Sequence, residues 1–69
     1  MSVAKNIEIT SSSSTSFDDA TKSGIARAAK TINNIQGAWI KEQKVEVKGG
    51  EVVEYRVTMI VTFVLSDDE

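Results

Sequence analysis

Alternating apolar and polar positions fill two long stretches in the second half of the chain, one on each side of Gly49-Gly50. A Gly-Gly pair between such stretches is a strong signal for a tight two-residue β-hairpin. If these glycines form the loop, Lys48 lies opposite Glu51 and the register of the hairpin follows. The predicted pairs are Val47 with Val52, Gln43 with Arg56, Lys41 with Thr58, Trp39 with Ile60 and Gly37 with Thr62.

This register assigns every side chain of the hairpin to one of two faces, because successive side chains of a strand point to opposite sides. The predicted core face carries Val53, Tyr55, Val57, Met59, Val61, Phe63 and Leu65, with Ala38 and Ile40 from the first strand. The opposite face carries Trp39, Lys41, Gln43 and Val45 beside Glu54, Arg56, Thr58, Ile60 and Thr62. A bulge or a one-residue slip would exchange the faces of one strand.

The first half of the chain predicts one further strand and one helix. Residues 3–9 alternate as a short strand, and the Ser/Thr run over 10–16 predicts a polar loop, because hydroxyl side chains favour turns. Ser16-Phe17-Asp18-Asp19 resembles a capping box, so a helix over 17–33 is expected, ended by Asn33-Asn34. Its apolar stripe consists of Phe17, Ala20, Gly24, Ile25, Ala28, Ala29 and Ile32.

These elements predict an α+β fold with the order β-α-β-β, in which a three-stranded antiparallel sheet wraps around one helix. Residues 1–69 are expected to form a single domain, with an acidic tail over 66–69. A helix over 17–33 is about 25 Å long, whereas a strand over 51–65 reaches about 50 Å. Either the sheet curls strongly or another copy of the chain covers its far end.

Composition removes several classes of function. The chain has no Cys and no His, so a disulfide is excluded and a structural zinc site is not expected. A net charge of -2 argues against a surface that neutralises nucleic-acid phosphates. No apolar run is long enough for a membrane span, which favours a soluble, cytoplasmic protein. The sequence offers no nucleophile with its base and no calcium-loop spacing, so neither an enzyme nor a metal site is predicted.

The face opposite the predicted core is the candidate binding surface. It carries the single Trp of the chain, Trp39, near Lys41, Gln43 and Arg56. A flat aromatic ring beside an amide and a guanidinium could stack a planar heterocycle and hydrogen-bond its polar edge. The other interpretation is that Trp39 anchors a contact between subunits, where Trp is enriched. Arg56 could also be only half of an ion pair with Glu54 or Glu42, and such exposed pairs contribute little to stability.

The order and spacing of several segments resemble the dodecins, a family of small flavin-binding proteins. The likeness spans nearly the whole chain: SVAKNIEIT at the start, TSFDDA at the helix start, GIARAAKTINNI along the helix, and KEQKVEV with GGEVVEYRVTMIVTFVL in the hairpin. The resemblance implies a sheet folded around one helix, twelve copies in a hollow homododecamer, and FMN, riboflavin or lumichrome at subunit contacts. The implied role is flavin storage. Some members of the family are associated with coenzyme A, and a subgroup without the flavin tryptophan is linked to calcium.

The resemblance also implies site residues. The stacking tryptophan of the family commonly lies six residues before the glutamine that is Gln43 here, which places it at Gly37. This chain has Trp39 two residues later, on the same strand face and about 6.5 Å along the strand. Arg56 stands where flavin-binding members often have Gln, and Arg can donate hydrogen bonds but cannot accept them.

Two hypotheses of different classes follow. In the first, Trp39, Gln43 and Arg56 line a flavin pocket that differs in shape from the family's. In the second, the protein forms the same shell without flavin and holds another ligand, such as an anionic nucleotide drawn by Arg56 and Lys41, or a metal ion, or serves only as an assembly. Assembly of identical copies is common to both.

Overall fold

The computed structural model describes residues 2–65, so the acidic tail over 66–69 lies outside the described residues. Its elements are a strand β1 (Ala4–Ser13), a helix α1 (Phe17–Ala28), a strand β2 (Ile35–Lys48) and a strand β3 (Glu51–Val64). The order β-α-β-β therefore confirms the predicted fold class. Gly49 and Gly50 both have positive φ, 59° and 79°, as a tight hairpin loop of this kind requires.

The sheet is antiparallel throughout, with β3 in the centre and β1 and β2 at the edges. In β3, every second side chain is buried: Val57, Met59 and Val61 are all fully inaccessible. They pack with Ala20 of α1, and Ile7 and Ile9 of β1 border this cluster. The predicted core face is confirmed at these three positions. Its two ends, Val53 and Leu65, are exposed instead, because α1 does not reach them.

The helix lies close to the sheet at Gly24. A Cβ atom at this position would stand 2.8 Å from Met59 Cε and 2.8 Å from Ser11 Cβ. Atoms cannot approach that closely, so α1 can pack at this distance only with glycine at the contact. The small residues of the predicted stripe thus bring α1 against β1 and β3.

Two predicted boundaries are wrong. β1 continues to Ser13 instead of ending near residue 9, since the Ser/Thr run pairs with β3 from Thr10–Thr58 to Ser13–Tyr55. The hydroxyl residues do not form a loop there, because the strand beside them satisfies their backbone groups. α1 ends at Ala28 instead of residue 33: the Thr31 amide bonds the Ala28 carbonyl at 3.1 Å in a tight turn. The left-handed residue is Asn34, with φ 63°, just before β2.

The start of α1 is held by two serines. Ser16 Oγ accepts the Asp19 amide at 2.9 Å, which confirms the first half of the predicted capping box. The second half is different, because the Asp19 carboxylate accepts the Ser13 hydroxyl at 2.7 Å. Ser13 Oγ also accepts the Thr15 amide at 2.9 Å. The last residue of β1 therefore joins the strand to the helix start.

Ser16→Ala should lower the free energy of unfolding by about 1 kcal/mol, because it leaves a helix amide without its cap. Urea denaturation followed by circular dichroism measures the change. Ser14→Ala is the matched control, since Ser14 is exposed and outside this network. Equal midpoints for the two variants would contradict the assigned cap.

A large part of the hairpin lies beyond the helix. α1 spans about 18 Å for its 12 residues, whereas the long axis of the molecule measures 56 Å. At the far end of the hairpin, four valines are between 38% and 56% exposed: Val45, Val47, Val52 and Val53. β2 is exposed along most of its length. Among residues 2–65, no helix is long and apolar enough to cross a membrane.

Candidate outer-face binding site

The observed register of β2 on β3 departs from a simple hairpin. It agrees with the prediction at the loop, where Val47 faces Val52, and again where Trp39 faces Ile60 and Gly37 faces Thr62. Between these points the register shifts by one residue at each of two irregularities. The first places Lys41 as an extra residue in β2, and the second places Val53 as an extra residue in β3. The Gln36 region carries a third irregularity.

The predicted pairs inside the shifted segment are wrong. Gln43 faces Val57 instead of Arg56, Lys44 faces Arg56, and Glu42 faces Thr58 in place of Lys41. Facing residues of an antiparallel pair lie on the same side of the sheet. Gln43 therefore shares the side of the buried Val57, on which α1 packs. The physical reason is the extra residue, which changes the alternation of side chains along the strand.

The face turned away from α1, here called the outer face, gathers the remaining predicted residues. It carries Gly37, Trp39, Lys41, Glu42, Lys44 and Glu46 of β2, Glu54, Arg56, Thr58, Ile60 and Thr62 of β3, and Asn6, Glu8, Thr10 and Ser12 of β1. Of the five candidate site residues, four lie on this face and Gln43 lies on the other. Trp39 and Arg56 stand about 13 Å apart along the strands, because Ile60, which faces Trp39, is four residue steps from Arg56 in β3.

Trp39 presents an aromatic surface to solvent. Trp39 is 53% exposed, although Trp is among the most costly side chains to leave in water. Ile60 faces it across the sheet. At Gly37, two residues away on the same face, an added Cβ would meet no atom within 4 Å. Trp39 therefore stands beside the open space at Gly37, with the apolar side chain of Ile60 next to it. This geometry is suited to binding a flat ring.

Lys41 is already paired. Its Nζ lies 3.0 Å from Glu8 Oε1, across the central strand, and both side chains are about half exposed. An exposed pair of this kind contributes only about 0–1 kcal/mol. Its effect on the site is electrostatic: the ammonium charge next to Trp39 is largely balanced by a carboxylate.

Arg56 holds the hairpin together. Its Nη2 lies 2.7 Å from Glu54 Oε1, its Nη1 lies 3.6 Å from Glu46 Oε2, and its Nε donates to Ser12 Oγ at 3.2 Å. Glu46 and Glu54 face each other directly, and facing like charges destabilise a sheet. The guanidinium bridges the two carboxylates and removes that repulsion. The pair with Glu54 is one of the two ion pairs considered from the sequence, whereas the pair with Glu46 depends on the observed register and was not predicted.

Hydroxyl and amide side chains of β1 complete the outer face. Thr10 Oγ1 lies 3.3 Å from Thr58 Oγ1, and Thr62 Oγ1 donates to Asn6 Oδ1 at 2.7 Å. Sequence reasoning missed the β1 residues because the Ser/Thr run was interpreted as a loop. The signal was present in the alternation itself, since extending Ile7 and Ile9 by steps of two places Thr10 and Ser12 on the opposite side.

The outer face contains a concave region. A depression of about 260 Å³, here called the polar depression, is lined by Thr10, Glu42, Lys44, Arg56 and Thr58. A larger depression of about 430 Å³ lies at the other end of the molecule, beside the end of the described chain, and is lined by Thr31, Ile32, Asn33, Asn34, Phe63, Val64 and Leu65. The larger depression is lined by no charged side chain. The polar depression lies on the outer face, as does Trp39.

Within residues 2–65, no group of three or more carboxylates is placed to hold a metal ion. The outer face offers an aromatic ring, hydroxyl groups and balanced charges. Such a set is suited in shape and chemistry to a planar ligand with a polar substituent.

Comparison with known proteins shows the family of the chain. The sequence profile described as Dodecin matches residues 3–66 of the chain. This chain belongs to the dodecin family. Its relatives include the calcium dodecin of Mycobacterium tuberculosis, which is 33% identical over 63 residues and is matched over 91% of this chain and 89% of its own. The dodecins are small binding proteins, and the predicted membership of the family is confirmed.

Solved dodecin structures share the fold. A point mutant of the dodecin of Thermus thermophilus superposes with a TM-score of 0.92 at 28% identity, covering 97% of this chain and 98% of that one. The dodecin of Streptomyces davaonensis gives 0.91 at 27%, covering 96% and 97%. The calcium dodecin of M. tuberculosis, described as having a novel calcium-binding site, gives 0.81 at 28%, covering 97% and 96%.

Proposed function

We propose that this dodecin is a non-enzymatic protein that binds and stores flavin (FMN, riboflavin or lumichrome) in the cytoplasm, as a hollow homododecamer. The observation that carries the proposal is the exposed ring of Trp39, with Ile60 opposite and open space at Gly37. A flavin ring stacked there would cover the indole. Contact with the indole would quench the fluorescence of the flavin. The partners are copies of the same chain and a small molecule, with no role for nucleic acid or membrane.

The exposed apolar surface supports assembly. A single chain leaves Trp39, Ile40 and the four hairpin valines in contact with water, and a domain of 69 residues has a small core. Burial of such surface between copies is the usual way in which small domains gain stability. Twelve copies also supply two neighbouring indoles to one flavin site when subunits meet about a symmetry axis.

A second candidate ligand is a metal ion, because a relative that is 33% identical is named calcium dodecin. Among residues 2–65 of one copy, no group of three or more carboxylates is placed to hold such an ion. An anionic nucleotide such as coenzyme A is favoured less, since the charges of Lys41 and Arg56 are both balanced by glutamates.

The proposal is tested on purified protein by titration into micromolar riboflavin while flavin fluorescence is recorded. We expect saturable quenching, and a particle of about 90 kDa by light scattering, which is twelve chains of 7.5 kDa. Calorimetry with calcium on the same sample, stripped beforehand with a chelator, tests the second candidate. Unquenched flavin together with calcium binding would replace flavin by calcium, and a monomer at working concentration would overturn the assembly.

A further inference from the structure

The strand β1 has one edge along which no other described strand lies. It is an outer strand of the sheet, and β3 pairs with its other edge. The pairing of β1 with β3 runs from Ala4 to Ser13 without a register shift, whereas the pairing of β2 with β3 is interrupted at three places. Bulges twist a sheet edge and hinder further pairing. Of the two outer strands, β1 therefore offers the more regular free edge.

The register shows which backbone groups of β1 point to this free edge. Continued by one residue, it places Leu65 opposite Val3, and the Leu65 amide donates to the Val3 carbonyl at 2.8 Å. In an antiparallel ladder, such hydrogen-bonded pairs alternate with residues whose N–H and C=O groups point away from the partner strand. The residues of β1 that point away from β3 are therefore Ala4, Asn6, Glu8, Thr10 and Ser12. Their backbone groups form a row to which a further strand can bond.

A depression lies beside this edge, between β1 and α1. It has a volume of about 230 Å³, is here called the edge depression, and is lined by residues 9–11 of β1 and by Ser23, Gly24, Arg27 and Ala28 of α1. Its described lining includes no residue of β3, so it opens on the side of β1 that faces away from the rest of the sheet. A strand added to β1 would lie about 4.8 Å from it and direct every second side chain towards α1.

The charges around the edge depression favour an acidic partner. Among the described residues that line it, Arg27 alone is charged, and Lys30 follows in the tight turn after α1. Within residues 2–65, neither of these side chains has a carboxylate oxygen within the 4.0 Å of an ion pair. On the outer face, by contrast, Lys41 and Arg56 are both paired with glutamates. The cations beside the edge depression are thus available to the carboxylates of a partner.

We propose that the free edge of β1 binds an extended acidic peptide segment of another protein, which joins the sheet as an additional strand. Backbone hydrogen bonds to β1 supply affinity, as in other cases of strand addition, and the side chains that face α1 supply specificity. An apolar side chain fills the edge depression, and an acidic side chain next to it on the same face pairs with Arg27. The site does not involve Trp39, so it is independent of the proposed flavin binding.

Fluorescence anisotropy of a labelled peptide with blocked ends tests the proposal on the assembled protein. The probe repeats the sequence Thr-Val-Thr-Glu, so that Val and Glu share one face of the extended chain. We expect saturable binding, and no binding when Lys replaces Glu. N-methylation of alternate residues should abolish binding when it falls on one edge of the peptide and preserve it on the other, because only one edge bonds β1.

Variants of the protein test the same site. Arg27→Gln should weaken binding about fivefold, the effect of one exposed ion pair. Lys22→Gln is the matched control, because Lys22 is exposed on α1 outside the edge depression, and it should change the affinity less than about twofold. Thr10→Pro should abolish binding while circular dichroism shows a folded chain, since the Thr10 N–H points away from β3 and Pro is tolerated at such edge positions.

Hydrogen exchange shows where the peptide lies. Bound peptide should slow exchange at the Glu8 and Thr10 amides and leave Ile7 and Ile9 unchanged, because the latter already bond β3. Equal binding of the two N-methylated peptides, or of the Lys peptide, would overturn strand addition. Absence of binding would also overturn the proposal, and slow exchange of the same edge amides in the free particle would then assign the edge to a neighbouring copy. Failure of flavin to bind would leave it standing.

Discussion

Gly24→Val should cost the protein about 3 kcal/mol or more of unfolding free energy, while the same substitution at Gly37 should cost little. At Gly24, the first added carbon already stands 2.8 Å from both Met59 Cε and Ser11 Cβ. Met59 is fully buried, so its side chain can move only if its neighbours in the core shift as well. Overpacking of a core, with the side-chain and backbone shifts that it forces, typically costs about 1–3 kcal/mol and occasionally more.

The size of the domain makes this cost decisive. A core of this extent supplies only a few kcal/mol of net stability, so displacement of α1 from β1 and β3 is expected to leave no folded population at working temperature. Circular dichroism and urea denaturation at matched protomer concentration measure the effect, because assembly makes stability depend on concentration.

Gly37→Val is the matched control. The position lies in a strand, its φ is not positive, and an added Cβ would meet no atom within 4 Å. A β-branched residue is favoured in a strand, so the midpoint should stay the same or rise. Equal destabilisation of the two variants would contradict the close approach of α1 to the sheet at Gly24.

The fold was largely predictable because its signals are local and redundant. Two adjacent glycines with positive φ determine the loop, and the alternation of Val57, Met59 and Val61 marks the central strand. The start of α1 was also predictable, since Ser16 caps it through the Asp19 amide as expected. In each case, short-range chemistry and long-range packing favour the same structure.

The site was less predictable because it depends on two one-residue insertions. Lys41 is the extra residue in β2 and Val53 is the extra residue in β3. Neither is a residue type that marks a β-bulge in a sequence. From Lys41 to Lys48 the only apolar residues are Val45 and Val47, so the hydrophobic pattern specifies the register of this stretch only weakly. The pairing follows the simple register at the loop and again around Trp39. The two extra residues lie between these two segments.

The consequence is specific to Gln43. In the simple register this amide would stand beside Arg56 on the outer face, and in the observed register it faces Val57 on the opposite side. The neighbour of Arg56 changes with it. Lys44 stands opposite Arg56 in place of Gln43, so the observed register places a cation, and not an amide, beside the guanidinium.

The roles of Trp39 are separable by experiment. Trp39→Ala should weaken flavin binding at least about 30-fold, the factor that corresponds to the ~2 kcal/mol of a binding hot spot. Trp39 is 53% exposed and contributes nothing to the buried cluster of Ala20, Val57, Met59 and Val61, so the fold of each chain should persist. Flavin fluorescence titration measures affinity, and light scattering measures particle mass in the same samples.

Trp39→Phe keeps an aromatic ring at the same position and is the matched variant. If the indole stacks on flavin, Phe should retain part of the affinity, because stacking requires a flat π face rather than the indole N–H. The particle mass should be unchanged in both variants. A fall in particle mass for Trp39→Ala, with flavin affinity per assembled chain preserved, would instead assign Trp39 to the contact between subunits. Stacking on flavin and anchoring of a neighbour therefore predict opposite changes in the two measurements.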